Sequence, residues 1–319
     1  MMKNYFNFDL TGKKLLPIWL LFYACFITPY VFLIISLKNI QLGGTPQLYI
    51  FPIFLVLFLI AFILIFYISK LIIEHISYKG KSIVFGGSFG EFIGQMILGY
   101  FLSVITLGIY MPWFIRNMHS FFIDNSSYDS NSFTFKGKGG KLFKILTFTL
   151  ILPMIIMMIV LVKFAMNHAD QPMPVYIAYI QQIIMFIILI PYMYFVYKWT
   201  VNIDFKNYNI SWDTNFWNSC GKMSLEIFLS IITFGIYMPM AILKLYKYFT
   251  ERTVANNGET KREFGFDNDD MNDFLFIWGQ LLLTIITLGI YYPWSICNTH
   301  KRLIGKTYLK SITIPDTTI

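Results

Sequence analysis

Three stretches of this chain, Leu15–Leu37, Leu48–Ser69 and Val175–Tyr197, run for 22 or 23 residues without a charged side chain, and Ile145–Val162 adds 18 more. A helix needs about 20 such residues to cross a hydrocarbon layer roughly 30 Å thick. The runs therefore place the chain among integral membrane proteins. Composition agrees: 56% of residues are hydrophobic and 13% are charged, about half the charged share of an average soluble domain. The first run reads as a retained span. A cleaved leader has an apolar region of about 7–15 residues and a small-residue cleavage site, whereas this run ends at Lys38-Asn39. The formal charge of +8, from 25 Lys+Arg against 17 Asp+Glu, flanks the spans. Anionic lipid headgroups, not nucleic acid, are its expected counterpart. Cys25, Cys220 and Cys297 have no metal-type spacing and form no readable disulfide framework, so neither a metal nor a cofactor is expected.

A motif recurs three times: TLGIYMPW at 106–113, TFGIYMPM at 233–240 and TLGIYYPW at 287–294. The offset between the first two copies holds far outside the motif. Phe6-x-Phe8 matches Phe133-x-Phe135, Gly12 matches Gly139, and Tyr67 matches Tyr194. Self-similarity at a fixed period signals an internal repeat. Residues 1–127 form a first repeat of two spans plus a motif helix, and 128–255 a second. Residues 256–319 form a partial third with a motif helix alone, after the hydrophilic connector Glu251–Asp273. The expected fold is an all-α polytopic membrane protein built by tandem duplication, with short β-strand or hairpin pieces at its cytoplasmic face. Those pieces are Phe6–Phe8, Ile83–Phe85, Phe133–Phe135, Ile210–Trp212 and Phe264–Phe266, each a short apolar alternation.

Each motif helix is expected to carry one polar stripe: Ser103, Thr106 and Tyr110; Glu226, Ser230, Thr233 and Tyr237; Gln280, Thr284, Thr287 and Tyr291. At 100° per residue these offsets fall within about 60° of arc. Gly108, Gly235 and Gly289 permit close approach or a break, and Pro112, Pro239 and Pro293 predict a kink or stop. Two readings stand. The hydroxyls hold helices together, contributing about 0.6–2 kcal/mol each. Alternatively the stripes face one another and line a hydrated passage, a reading that leans on the ionisable Glu226. Trp113, Trp294, His119 and His300, in the amphipathic stretches after the prolines, are expected at the membrane interface.

Charge discriminates between topologies. If every apolar segment crosses, basic residues divide evenly between the two sides. If the motif segments enter and leave on one side, only Lys38 and Lys163 lie outside, which satisfies the cytoplasmic excess of Lys and Arg. Four spans, three re-entrant or interfacial motif helices and a cytoplasmic N-terminus are predicted.

The pattern T-x-G-I-Y-x-P-W follows an aromatic strand residue by 21 positions and precedes N-x-H at Asn117–His119 and Asn298–His300. It resembles the YjgN-like family of bacterial inner-membrane proteins, a domain of unknown function. The middle copy departs from the pattern, with Met240 for the tryptophan and Tyr246 for the histidine. The resemblance implies a bacterial inner membrane and several spans, and it brings no catalytic residue. No nucleophile–base pair is readable, and Gly137–Lys141 lacks P-loop spacing, so an enzyme is not expected. Two classes remain. One is a small-solute carrier or channel-like protein with a polar site between repeats, lined by Glu226, Gln280, Gln181, Gln182 and the hydroxyls. The other is a membrane scaffold that binds lipid or a membrane-protein partner.

Overall fold

The computed structural model describes residues 3–41, 43, 50–167 and 174–313; Leu48, where the second apolar run begins, lies outside them. Strand β1 (Asn4–Phe8) leads into helices α1 (Gly12–Gln41) and α2 (Ile50–Glu74). Strands β2 (Ile76–Tyr78), β3 (Lys81–Ser82) and β4 (Val84–Phe85) lead into α3 (Phe89–Ile105) and α4 (Met111–Asp124). Strands β5 (Ser126–Tyr128) and β6 (Asn131–Phe135) precede α5 (Gly139–Leu146), which continues through a π-helical turn at Thr147–Ile151 into α6 (Leu152–Asn167), and then α7 (Val175–Thr200). Next come β7 (Asn202–Phe205), β8 (Tyr208–Trp212), α8 (Phe216–Ile232) and α9 (Met238–Glu251). Strands β9 (Thr253–Asn256) and β10 (Thr260–Phe266), helices α10 (Asp270–Ile286) and α11 (Tyr292–Gly305), and strand β11 (Thr307–Thr313) complete the order.

A strand, a helical hairpin and a returning strand thus recur five times. In every unit the first helix begins four residues after a buried aromatic: Phe8, Phe85, Phe135, Trp212 or Phe266. In every unit the returning strand begins two residues after the second helix ends. Local signals set the helix starts. The Ser88 hydroxyl accepts the Glu91 N–H at 3.2 Å, and Asn215 accepts the Trp217 N–H at 2.9 Å, each relieving an orphan donor of the first turn. Consecutive helices pack side by side, and α11 packs against α1, so the helices close into a ring. Among the described residues three stretches, Gly12–Asn39, Gly139–Asn167 and Tyr179–Thr200, are long and apolar enough to cross a membrane.

The expectation of an all-α fold is corrected by the strands, which form one eleven-stranded antiparallel sheet in the order β3-β2-β1-β11-β10-β9-β8-β7-β6-β5-β4. Its two end strands, β3 and β4, are separated by Ile83 alone, and the Ile83 N–H bonds back to the Ile76 carbonyl at 2.9 Å. They are halves of one strand that turns from β2 to β5, so the chain itself bridges the sheet into a barrel. The other closure joins the two ends of the sequence, where Asn4 pairs with Leu309 and Tyr5 with Tyr308. The pieces are two to seven residues long, mostly too short to carry a clear period-2 signal. Their partners lie across helical hairpins, so pairing was invisible locally. The expected boundaries at 127/128 and 255/256 fall inside β5 and β9, and the connector Glu251–Asp273 forms β9, β10 and the first turn of α10.

The core is correspondingly fivefold. Each of the five buried aromatics anchors its own apolar cluster between barrel and helices. Phe85 packs with Phe66, Phe92, Met96 and Phe121, and Trp212 with Tyr194, Cys220 and Met223. The outer barrel face is polar, with ion pairs Lys136–Asp204 at 3.0 Å, Lys310–Glu263 at 3.2 Å and Lys261–Asp213 at 3.3 Å. Such a face suits water and is costly against lipid. The helical layer is the opposite, with large apolar side chains exposed along α1, α3, α6, α8 and α10.

Candidate functional site

The three motifs build one turn three times. In each, the glycine N–H donates to the carbonyl five residues back, Gly108 to Ser103 at 2.7 Å, Gly235 to Ser230 at 2.8 Å and Gly289 to Thr284 at 2.8 Å. This ends the first helix in a Schellman-type cap. Leu107, Phe234 and Leu288 just before the glycines are also left-handed, each at φ 50°. The threonine hydroxyl donates to the carbonyl four residues back and accepts the tyrosine N–H at 3.0 Å in all three copies. Pro112, Pro239 and Pro293 then lie in the first turn of α4, α9 and α11, where a missing N–H costs nothing. The motif is therefore a helical-hairpin reversal, and both ends of each hairpin return to the barrel. Thr106→Val should remove two hydrogen bonds and lower stability by about 1–2 kcal/mol, read as a fall in melting temperature in nanodiscs. An unchanged melting temperature would assign the turn to the glycine alone.

Most stripe side chains make their hydrogen bonds within single hairpins. Ser103, Ser230 and Thr284 hydroxyls donate to the carbonyls of Gly99, Glu226 and Gln280 at 2.7–2.8 Å. Glu226, 1% exposed, accepts from Lys222 at 2.6 Å and from the Tyr237 hydroxyl at 2.7 Å, and Lys244 donates to that hydroxyl at 2.9 Å. In the third copy Gln280 accepts from Asn298 at 3.1 Å. Tyr110 and Tyr291 stack on Trp113 and Trp294. Gln181 and Gln182 are exposed on α7. Each of these hydrogen bonds runs within one hairpin.

Trp113 and Trp294 clasp neighbouring units. A Cβ on Gly139 would lie 2.6 Å from the Trp113 ring, and one on Gly12 would lie 2.5 Å from the Trp294 ring. The middle copy carries Met240, and there the next unit starts with Asp270 instead of glycine. His119 and His300 pack over the next unit's aromatic, Phe135 and Phe8, and Tyr246 covers Phe266 in the same way. Burial pushes the His119 imidazole below its usual pKa, so it is neutral at pH 7. The two histidines serve different units, and among the described residues no group of three His, Cys, Asp or Glu is placed to hold a metal.

Side chains do converge inside the barrel. Every unit contributes the first apolar residue of its F-x-F piece, Phe6, Ile83, Phe133, Ile210 or Phe264, to the wall of one cavity of about 450 Å³. The second aromatic, two residues on and on the same face, plugs the helix end. Ring contacts run from Phe264 to Phe6 at 6.0 Å and on to Tyr78 at 4.7 Å. They continue to Tyr128 at 6.0 Å, Phe205 at 6.1 Å and Phe133 at 4.6 Å. Eight strands nearly fill their own barrel with side chains or leave room for one small ligand; this wider barrel leaves a ligand-sized space. Its size sits in the range of small-molecule sites, and its composition, an apolar wall with few polar groups, matches them too.

The mouth lies at the hairpin turns, away from the helices. Lys79, Asp129 and Lys206, the first turn residues after β2, β5 and β7, line it, as does Arg262 on β10. Asp129 is hydrogen-bonded by Lys81, which holds its carboxyl below the usual aspartate range. Arg262 lies 4.4 Å over the Tyr208 ring. Burial pushes the Tyr78 phenol up, so it stays protonated, and the Tyr128 hydroxyl donates to the Tyr78 carbonyl at 2.8 Å.

A family model described as bacterial protein of unknown function, DUF898, matches residues 2–264. The chain belongs to DUF898. This is the YjgN-like family that the motif resembles. The match ends inside β10, so in this DUF898 chain the last helical hairpin and β11, which complete the barrel, lie beyond it. No curated protein and no solved structure matches.

Five of the cavity-lining residues of this DUF898 chain, Phe6, Ile83, Phe133, Ile210 and Phe264, are visible in the sequence as F-x-F alternation, but their convergence is not. The unread signal was that all five pieces stand at the same distance from the following helix. That regularity marks five equivalent strands, and equivalent strands in a closed ring share an inside.

Proposed function

We propose that this protein is a multi-pass protein of the bacterial inner membrane whose cytoplasmic β-barrel is a binding compartment for a small apolar molecule. The observation that carries the reading is the barrel itself: a ligand-sized apolar lumen enclosed by strands whose outer face is polar. Long apolar helices support the membrane placement. So do the tips of the motif hairpins, where Leu107, Phe234 and Leu288 are 93%, 97% and 79% exposed. Apolar side chains held out at the end of a hairpin are suited to lipid. The excess of basic residues on the barrel side supports the cytoplasmic assignment. The barrel lumen is favoured over a polar passage between repeats, because Ser103, Thr106, Glu226, Ser230, Thr233, Gln280, Thr284 and Thr287 bond within their own hairpins.

Two single cysteines in a cysteine-free background test this. Asn207 lies exposed in the β7–β8 turn and Ala255 lines the lumen. Asn207→Cys should resist an impermeant thiol reagent in intact cells and react in inside-out vesicles. Ala255→Cys should react with a small reagent, and decanol should slow that reaction. Labelling of Asn207→Cys in intact cells would overturn the cytoplasmic placement. Modification of Ala255→Cys that no small apolar compound slows would overturn the binding reading.

A further inference from the structure

The lumen is apolar along its wall yet carries an excess of positive charge at its mouth, Lys79, Lys206 and Arg262 against Asp129, and these two facts together specify a ligand class. Lys79 and Lys206 occupy equivalent positions, the first residue of the two-residue turns after β2 and β7. Both take left-handed backbone conformations, φ 49° and 56°. Asn, Asp and Gly are the residues at ease there. Lysine gains nothing from such a turn, but at this place it holds an ammonium over the lumen.

Arg262 is the stronger determinant. It is half-buried, it lines the lumen and it rests on the Tyr208 ring. A guanidinium does not deprotonate in a protein, so this charge is permanent. Among the described residues no carboxylate lies within ion-pair distance of Arg262, Lys79 or Lys206, which rest on aromatic rings; of the three, Lys206 is the one whose charge helps to hold the Asp129 carboxyl low. Neighbouring Glu263 turns outward to Lys310. The acid at the mouth, Asp129, is taken by Lys81. A half-buried guanidinium without a counter-charge is costly unless an anion reaches it. Arginine on an aromatic face keeps its N–H edge free for a carboxylate or phosphate.

We propose that the lumen binds a single-chain amphipathic anion, with its apolar chain against the aromatic wall and its carboxylate or phosphate at Arg262, flanked by Lys79 and Lys206. The cavity of about 450 Å³ sets the size, accommodating a chain of roughly ten carbons within the usual range of small-molecule sites. This inference rests on the binding reading above and adds the charge and shape of the ligand.

The test uses the full chain in nanodiscs of neutral lipid, with Ala255→Cys as reporter and the rate of its modification by a small neutral thiol reagent as readout. Decanoate and decyl phosphate should protect at concentrations at least tenfold below decanol, and decyltrimethylammonium should protect least. Comparing decanoate with decyl phosphate separates a carboxylate ligand from a phosphate-headed one. Arg262→Gln should bring decanoate to the level of decanol while leaving protection by decanol unchanged, which also reports that the barrel is intact. Arg262→Lys should restore part of the preference. Equal protection by decanoate and decanol in the parent chain would overturn the anion assignment and leave the binding compartment standing. If none of the four compounds protects, both readings fall together.

Discussion

A chain ended at Lys306 is expected to yield no folded protein. The segment removed, β11, pairs with β10 over seven registers and with β1 over two. It also carries Tyr308, whose ring covers Gly265 so closely that a Cβ there would meet it at 2.3 Å. Thr307 accepts or donates a hydrogen bond with the Tyr246 hydroxyl at 2.9 Å, and Lys3 sits 4.3 Å over the Tyr308 ring. Ladder bonds at about 1 kcal/mol each, with the side-chain burial that accompanies them, come to on the order of 5 kcal/mol or more. That is comparable to the whole net stability of a typical domain, about 5–15 kcal/mol. Loss of β11 also bares two strand edges, which are templates for aggregation. The readout is recovery of monodisperse protein after membrane extraction, together with protease resistance of β1. A circular permutant separates closure from mere chain length. Joining residue 313 to residue 3 by a short turn and opening the chain between Asn257 and Gly258 keeps every strand neighbour, and it should fold. Full protease resistance of the truncated chain would show that the barrel does not depend on this seam.

The same seam explains what was legible in the sequence and what was not. Apolar runs set the long helices, because length and composition alone decide whether a helix can span a membrane. The threefold motif pointed to equivalent local structures, and the threonine, glycine and tyrosine repeated in all three copies are those that one tight reversal needs. The repeat number was misleading, because the units come with helical hairpins of two lengths. Long hairpins at α1–α2 and α5–α7 look nothing like the motif hairpins in sequence, yet they occupy equivalent places between equivalent strands. The strands were seen as fragments. Pairing information resided in non-local neighbours, above all β1 with β11 across nearly the whole chain. Glu226 stood out as an ionisable residue on an apolar helix. Its partner Lys222 lies one turn back on the same face, a spacing that i,i+4 reasoning reaches, whereas Lys244 is brought in only by the hairpin.

Equivalent units need not carry equivalent chemistry, and the variation follows its contacts. Where a unit starts with glycine, the preceding hairpin offers tryptophan; where it starts with Asp270, the preceding hairpin offers Met240. The glycine lets the helix end come close enough for the indole to cover it, so each half of the pair makes sense only with the other. At the position of Gly99 the first motif hairpin packs the Phe114 ring, where the second buries Glu226 and the third Gln280. Burying a polar group demands a partner, and each polar version brings its own, Lys222 with Tyr237 for the acid and Asn298 for the amide. The variable positions thus diversify packing within a constant ring, and the lumen is lined by all five units.

Replacing Asp273 by alanine is expected to cost about 3–5 kcal/mol, the usual penalty for breaking a buried ion pair from one side. Asp273 is fully buried at the barrel end of α10. Its carboxylate receives Arg302 at 2.5 Å, Lys306 at 2.6 and 2.8 Å and the Asp269 N–H at 2.9 Å. It therefore ties the first turn of α10 to the last turn of α11, beside the seam at β11. Burial pushes its pKa up, but Lys306, the Asp269 amide and Arg302 outweigh burial and hold it below the ordinary value. A carboxylate depressed in the folded state contributes stability above its unfolded pKa of about 3.9, and that contribution is lost as the pH falls through the lower, folded value. Melting curves of the parent should accordingly weaken below about pH 4, and Asp273→Asn should lack this component while being less stable at pH 7. A second substitution sharpens the point. Asp273→Ala leaves two cations facing an empty acceptor, so adding Lys306→Met should recover part of the loss, as apolar replacements of buried ion pairs often do. Recovery would mean that the charge, and not the shape, of Asp273 fixes the hairpin. Equal stability of Asp273→Ala and the parent at pH 7 would show that the seam is held by β11 alone.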